Sequence, residues 1–182
     1  MLTGDKVRIR AIERRDLENA VRWINDPEVT RYLTMAGPIS SVAEEKWIEA
    51  AARGDSPNDR HFTMETLDGE YLGQIGLHGI DWRHRHATAG IVIGAKEHWG
   101  NGYGTDAMRT LLRHAFDTLN LHKVVLTAYS DNRRAIRSYE KCGYKVVGVM
   151  KEHRFTGGRY HDEVMMEVLA DEFRRLVPDR PA

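Results

Sequence analysis

The chain has one cysteine in 182 residues, five prolines and no net charge, with 27 basic residues against 27 acidic ones. A lone thiol, Cys142, excludes an internal disulfide. The neutral balance argues against nucleic acid or an anionic membrane as the main partner. No apolar run approaches a membrane-spanning length and no charged-then-apolar signal pattern opens the chain, which predicts a cytoplasmic protein with no membrane partner. There is no internal repeat and no low-complexity segment. The solvated stretch Gly54 to Asp59 comes too early to follow a separate core, so one domain spanning 1–182 is expected.

What the chain does have is an ordered stretch from Gly90 to Leu119. Ile91 to Ile93 is an apolar strand. It leads into a loop with glycines at 100, 102 and 104, and a helix follows in which Met108, Leu111, Leu112, Ala115 and Leu119 share one face. Glycines let backbone N–H groups converge on one point, and a new helix adds unpaired N–H groups with a partial positive charge. A phosphate or pyrophosphate is the expected guest, although a plain tight turn has the same look. The spacing is neither that of a P-loop, which wants Lys-Ser or Lys-Thr after the glycines, nor that of a dinucleotide fingerprint, which wants G-x-G-x-x-G. Here the glycines run G-x-G-x-G, and the next strand, Lys123 to Tyr129, lacks the acidic residue a dinucleotide needs.

The rest of the chain alternates helical and extended patterns. Lys6 to Ile12 reads as a half-buried strand, and Asp16 opens a helix with Leu17, Ala20, Val21 and Ile24 on one face. Asp26-Pro27 restarts a helix as cap and first residue, and Gly37-Pro38 is a break. Ser41-x-x-Glu44 has the form of a capping box for a helix to about Arg53, with Ala43, Trp47 and Ala51 facing inward. Phe62 to Leu67 and Tyr71 to Ile80 form a hairpin around Asp68-Gly69, followed by a strand over Ala87 to Ile93. Asn132 to Cys142 is a helix. Tyr144 to Phe155 and Tyr160 to Val168 are strands turned by Gly157-Gly158. The fold class is α+β: a mixed, largely antiparallel sheet with helices on both faces.

One downstream segment decides among the phosphate-binding readings. Asn132, Ala135, Tyr139, Gly143 and Tyr144 match N-x-x-A-x-x-x-Y-x-x-x-G-[FY], and Gly102 and Gly104 match the glycines of [QR]-x-x-G-x-[GA]. With both motifs in order, the sequence resembles the GCN5-related N-acetyltransferase superfamily from about Val7 to Val168. The early Arg15-Asp16-Leu17 and the Trp99-Gly-Asn-Gly-Tyr-Gly loop are similar to the branch holding ribosomal-protein-alanine and spermidine N-acetyltransferases. Trp99 departs from the pattern, standing where the superfamily has Gln or Arg.

The resemblance implies two parallel strands that splay into a V, with acetyl-CoA as co-substrate lying in it. Its pantetheine arm would run along Val92, Ile93 and Gly94, one of whose N–H groups would polarise the thioester carbonyl. Its pyrophosphate would take the amides of Gly100, Asn101, Gly102, Tyr103, Gly104 and Thr105. Asn132 would bond the cofactor arm, or else serve only as a helix-start residue. Tyr139 would be the catalytic acid, since a phenol stays protonated at neutral pH and can donate to a departing thiolate. Cys142 reads as a buried structural thiol.

The base stays open among Glu97, His78, Asp81, His84 and His86, each with an alternative as an exposed polar residue. Asp81 with His84 and His86 lacks a convincing ligand set, and no metal is expected. For the acceptor, a peptide α-amine of pKa about 8 is about one-tenth free base at pH 7, whereas an alkylamine near 10.4 is deprotonated only about one part in two thousand. A protein or peptide N-terminus is therefore preferred over a polyamine, whose site would draw on Glu44, Glu45 and Glu49. A CoA-binding sensor without catalysis and a nucleotide-binding module are the other classes carried. The sequence leaves open a homodimer, and acyl groups longer than acetyl.

Overall fold

The computed structural model describes residues 1–34 and 37–177; the expected domain of 1–182 also takes in 35–36 and 178–182, which lie outside the described residues. One eight-stranded sheet runs in the order β1-β2-β3-β4-β5-β6-β8-β7. Its strands are β1 Leu2–Thr3, β2 Val7–Arg10, β3 Arg60–Thr66, β4 Tyr71–Asp81, β5 His86–Ile93, β6 Lys123–Tyr129, β7 Lys145–Thr156 and β8 Arg159–Leu169. The helices are α1 Leu17–Ile24, α2 Pro27–Thr30, α3 Ser41–Arg53, α4 Tyr103–Arg113, α5 Arg133–Glu140 and α6 Ala170–Leu176. Neighbouring strands pair antiparallel except β5 and β6. The sequence did not announce β1 or α6: two residues are too few, and seven too mixed, to show a period.

The parallel pair positions everything else. β5 and β6 are in register only at His86↔Lys123, Ala87↔Val124 and Thr88↔Val125. Beyond Thr88 and Val125 they run on without pairing, so a gap opens between Ala89 to Ile93 on one arm and Leu126 to Tyr129 on the other. The outer edge of each arm stays paired, β5 to β4 and β6 to β8, so the arms are held apart as rigid strands.

The faces of the sheet are told apart by two consecutive residues. A Cβ on Gly104 in α4 would meet Ile93 Cδ1 at 3.2 Å, whereas a Cβ on Gly94 would run into the ring of Trp23 from α1. Successive strand residues point to opposite faces, so α4 covers one face and α1 with α3 the other. On the α4 side Met108, Leu111, Leu112 and Ala115 are fully buried, as their helical spacing predicts. Each of the larger three contributes roughly 1.5–3 kcal/mol of burial.

Two sequence expectations need correction. The cap of α3 is Ser40, whose Oγ accepts from Ala43 N at 3.1 Å, and Ser41 is the first helical residue. The inward face also lies one residue on from the expected one, a turn of about 100° about the axis. Glu44 and Ile48 therefore point inward while Ala43 and Trp47 are exposed; the partly buried Ala51 packs beside them. Asp16 does stand at the N-cap position of α1, as expected, but it is 2% exposed and its carboxylate makes no cap bond, accepting instead from Glu13 N, Arg10 and Thr63.

Candidate active site

The β5 arm offers the gap a specific set of backbone groups. Gly94 N donates to Leu72 O at 2.9 Å, in line with the register Gly73↔Ile93. Antiparallel partners alternate between bonded and non-bonded pairs, so Val92 and Gly90 also direct their N–H and C=O groups toward β4. The groups of Ile91 and Ile93 point the other way, into the gap. The sequence had treated Val92, Ile93 and Gly94 alike; the geometry takes the N–H groups of Val92 and Gly94 away from that role and leaves those of Ile93 and Ile91. Ile93 O accepts from Trp99 Nε1 at 2.8 Å. The residue that departs from the family pattern thus ties the glycine loop back to the strand.

The loop itself turns on Gly100 and Gly102, at φ +79° and +87°. Gly102 is the N-cap of α4 in the left-handed region, which any β-carbon would strain. The N–H groups of Tyr103, Gly104 and Thr105 in the first turn lack intrahelical partners and face outward along the axis. Asn101 Nδ2 donates to Glu97 O at 3.3 Å, steadying the approach to the turn. Gly104 belongs to the helix and lies against Ile93 and Ile91, so its bareness serves packing as well as access.

Two cations flank this turn. The carboxylate of Asp106 accepts the backbone N–H groups of Asp5, Lys6 and Val7 at 3.0, 2.7 and 3.1 Å, which fixes the start of β2 to the first turn of α4. Lys6 Nζ consequently sits 5.6 Å from the centre of the Tyr103 ring. On the other side Arg134 of α5 lies over Trp99, 4.1 Å from its ring centre. The loop, neutral in its own side chains from 99 to 105, has positive charge on both flanks.

Helix α5 is locked to this region by Thr105 Oγ1 and Ser138 Oγ at 2.8 Å. Asn132 caps it, Oδ1 accepting from Ala135 N at 3.2 Å, so the helix-start role holds and only the amide NH₂ is left for a ligand. Tyr139 is partly exposed, packs on the core and meets Tyr144 edge to face. Burial pushes its phenol up to about 12, with the neighbouring Cys142 adding to the shift. Cys142 is fully buried, its Sγ within 3.4 Å of Thr105 O, and burial raises its thiol to about 12, which suits the structural reading.

The opposite face is polar. Arg10 bridges Asp16 and Glu65, each at 2.7 Å, and Thr63 Oγ1 donates to Asp16. Beside this network stands Glu44, 7% exposed. Burial alone pushes its carboxyl above the usual range, and among the described residues no basic side chain pairs with it. Glu45 and Glu49 are different: both pair with Arg14 on the outer side of α3. The three glutamates do not form one cluster. Farther along the same face His61 and His78 lie with ring centres 5.0 Å apart, and Trp47 meets His61 edge-on. Past the end of the β6 arm, Arg31, Tyr32, Tyr129, Asp131, Arg159 and His161 line an open cavity of about 420 Å³.

Of the other base candidates, Glu97 is exposed in a single turn before the loop, and His84 and His86 lie with Asp81 at the solvated β4–β5 hairpin. Among the described residues the side chains with metal-ligand spacing are Glu70, Glu97 and His98, of which His98 and Glu70 already pair at 3.1 Å. Sequence reading missed Lys6, Arg134 and His61. Only the fold brings them to the site: Lys6 and His61 stand in no motif, and Arg134 fills an unspecified position of the Asn132 motif.

Comparison with known proteins agrees with this fold. The Acetyltransferase (GNAT) domain profile matches residues 6–145. The spermidine N(1)-acetyltransferase of Vibrio cholerae is 30% identical over 170 residues, covering 93% of this chain and 96% of the relative. That of Escherichia coli K12 is 30% identical over 173 residues, covering 95% and 91%. The crystal structure of spermidine N-acetyltransferase from Vibrio cholerae in complex with CoA and spermine superposes with a TM-score of 0.84 at 29% identity, over 92% of this chain and 97% of that one.

Proposed function

The chain belongs to the GNAT acetyltransferase family and is an N-acetyltransferase, and from that premise we infer that it moves acetyl from acetyl-CoA to a small primary amine of the polyamine class. The observation that carries the acceptor class is Glu44. Burial without a basic partner disfavours the ionised carboxylate, and a second ammonium on the acceptor would relieve that cost. The likeness to spermidine acetyltransferases over nearly the whole chain supports the same class over a protein N-terminus. The continuous eight-stranded sheet supports reading the chain as one acetyltransferase domain.

Acetyl-CoA as substrate suits the gap and the loop. The pantetheine amides would complete the unpaired edge of β5 as an added strand, bonding to Ile91 and Ile93. The amides from Gly100 to Thr105 would take the pyrophosphate, with Lys6 and Arg134 supplying charge and the Asn132 amide bonding the arm. An N–H of Ile91 or Ile93 would polarise the thioester carbonyl. The amine nitrogen forms the C–N bond, the C–S bond breaks, and Tyr139 gives its proton to the thiolate. The burial that raises the Tyr139 phenol would raise a thiolate formed in the same gap, which keeps that transfer from being steeply uphill.

A second reading, acetylation of a peptide α-amine, draws on the open cavity at Tyr129, where Arg31 and Arg159 outnumber Asp131 and would suit peptide carbonyls better than a polycation. The deciding assay compares kcat/KM for spermidine and for an alanine-initiated peptide at pH 7 and pH 9. The polyamine reading expects spermidine to be the better substrate at both; a preference for the peptide at both would reverse it.

A further inference from the structure

The base that removes the proton from the attacking amine is missing from the account so far. The crotch of the V lies at Thr88 and Val125, the last parallel pair. The first residue past it that faces away from α4 is Gly90, which is partly exposed, with exposed Thr88 and Thr127 on either side. A Cβ at Gly90 would lie 3.0 Å from His78 Nε2 and 3.4 Å from its Cδ2. The Nε2–Cδ2 edge of the His78 imidazole therefore lies against the bare backbone of Gly90, beside the point where the arms separate. His78 reaches there because it pairs with Thr88 in the β4–β5 ladder and points to the same face as Gly90.

We propose that His78 is the general base of the transfer, accepting the amine proton at the crotch of the V while His61 behind it orients the ring. The proton balance is complete: His78 takes one proton from the amine nitrogen as the C–N bond forms, Tyr139 gives one to the thiolate as the C–S bond breaks, and solvent exchange restores both. No oxidant or further reactant is required. Acetylation strips a proton from any primary amine, so the role does not depend on which acceptor is used; it rests only on the transfer itself.

The surroundings suit an acceptor of protons. Burial lowers the pKa of His78, and the neighbouring His61 on β3 lowers it further, against a smaller opposing pull from Asp59. His61 is itself lowered by burial, again opposed by Asp59. Trp47 of α3 closes the far side of His61 without charge, and Thr88 and Gly90 of β5 bring none. Asp59 is held by Gly79 N and does not bond to either ring. The lowered pKa favours the neutral ring, with a lone pair available, and the residue remains partly exposed to an incoming amine.

The test uses the full chain, with spermidine as acceptor and the alanine-initiated peptide where spermidine is not turned over. His78→Asn is expected to lower kcat by about 10²- to 10⁴-fold, to leave acetyl-CoA affinity unchanged, and to abolish the acid-side fall of the kcat profile. In the unmodified protein that fall is expected below pH 6.5, the ordinary histidine value. A variant with unchanged kcat, or one that keeps the acid-side inflection, would overturn the assignment. Nitrogen NMR of the unmodified protein tests it without turnover: the His78 ring should titrate below 6.5 and shift when CoA is added. Titration at or above the ordinary value, or indifference to CoA, would also overturn it. A peptide preference in the unmodified protein contradicts the polyamine reading alone, since the variant is compared on whichever amine reacts.

Discussion

Ile93 and Gly94 are consecutive, yet Ile93 lies under α4 and Gly94 under Trp23 of α1, and the faces they belong to are made differently. The α4 face is closed by Met108, Leu111, Leu112 and Ala115, all fully buried. The α1 and α3 face carries buried Asp16, Glu44, Thr63 and Glu65, with His61 and His78 at its open end. Apolar packing on one side holds the glycine loop and β5 at a set distance, which a cofactor bound mainly by backbone groups requires. Polar groups on the other side supply charge and a proton acceptor, which an amine requires. The sheet keeps these two jobs apart and the gap between its arms joins them.

The largest expected effect comes from the proposed acid of the transfer. Tyr139→Phe should lower kcat by about 10²- to 10⁴-fold and leave acetyl-CoA affinity unchanged, because the ring and its packing on the core remain. Transient kinetics that found chemistry as fast as in the unmodified protein would remove the phenol from the proton path.

Next in size is a pair of variants, one for each face. Leu112→Ala should cost about 2–5 kcal/mol through the cavity it leaves. Asp16→Ala should cost about 3 kcal/mol by removing one of the two carboxylates that hold the buried Arg10, leaving it only Glu65. Urea titrations at several pH values separate the two mechanisms. Burial pushes the Asp16 carboxyl up, but bonds from Arg10, Glu13 N and Thr63 outweigh it and hold the pKa below its ordinary 3.8. A depressed carboxylate contributes stability that is whole above pH 3.8 and is lost as pH falls through the folded value. The Asp16 variant should therefore lose part of the acid-side slope and the Leu112 variant should keep it. Equal slopes in both would mean that the polar layer is not held by its charges.

How much of each face could be read beforehand follows from the same contrast. A helix buried on one side prints a period of 3.6 residues, so α4 was legible from Met108 to Ala115, and the apolar runs of β5 and β6 with it. Asn132 to Tyr144 was legible as a motif. The polar layer prints no period: Arg10, Asp16, Thr63 and Glu65 come from three separate segments and are ordinary surface types until the fold joins them. The capping box over Ser41 was a near miss by one residue, and the inward face was also missed by one residue, which left the buried Glu44 on the expected outer side. The direction of the β5 amides was invisible for another reason: it depends on register with Leu72 and on no side chain.

Smaller effects sharpen the division further. Gly102→Ala places a β-carbon at φ +87°, with Lys6 Cε 3.9 Å away and otherwise open space. A stability loss of about 1 kcal/mol is expected from the backbone alone, and calorimetry should show clearly weaker acetyl-CoA binding. Affinity equal to the unmodified protein's would disconnect the loop from the phosphates. The smallest change is on the acceptor side. Ser40→Ala removes the α3 cap and should cost about 1 kcal/mol of stability, with no change in acetyl-CoA affinity.

The division of labour is tested most directly by residue-resolved amide exchange of the full chain with and without CoA. Protection is expected at Ile91 and Ile93, whose N–H groups face the gap, and along Gly100 to Thr105, while Val92 and Gly94, already engaged toward β4, change little. If Val92 and Gly94 gain protection while Ile91, Ile93 and the loop do not, the direction of the β5 edge and the site built on it are both contradicted.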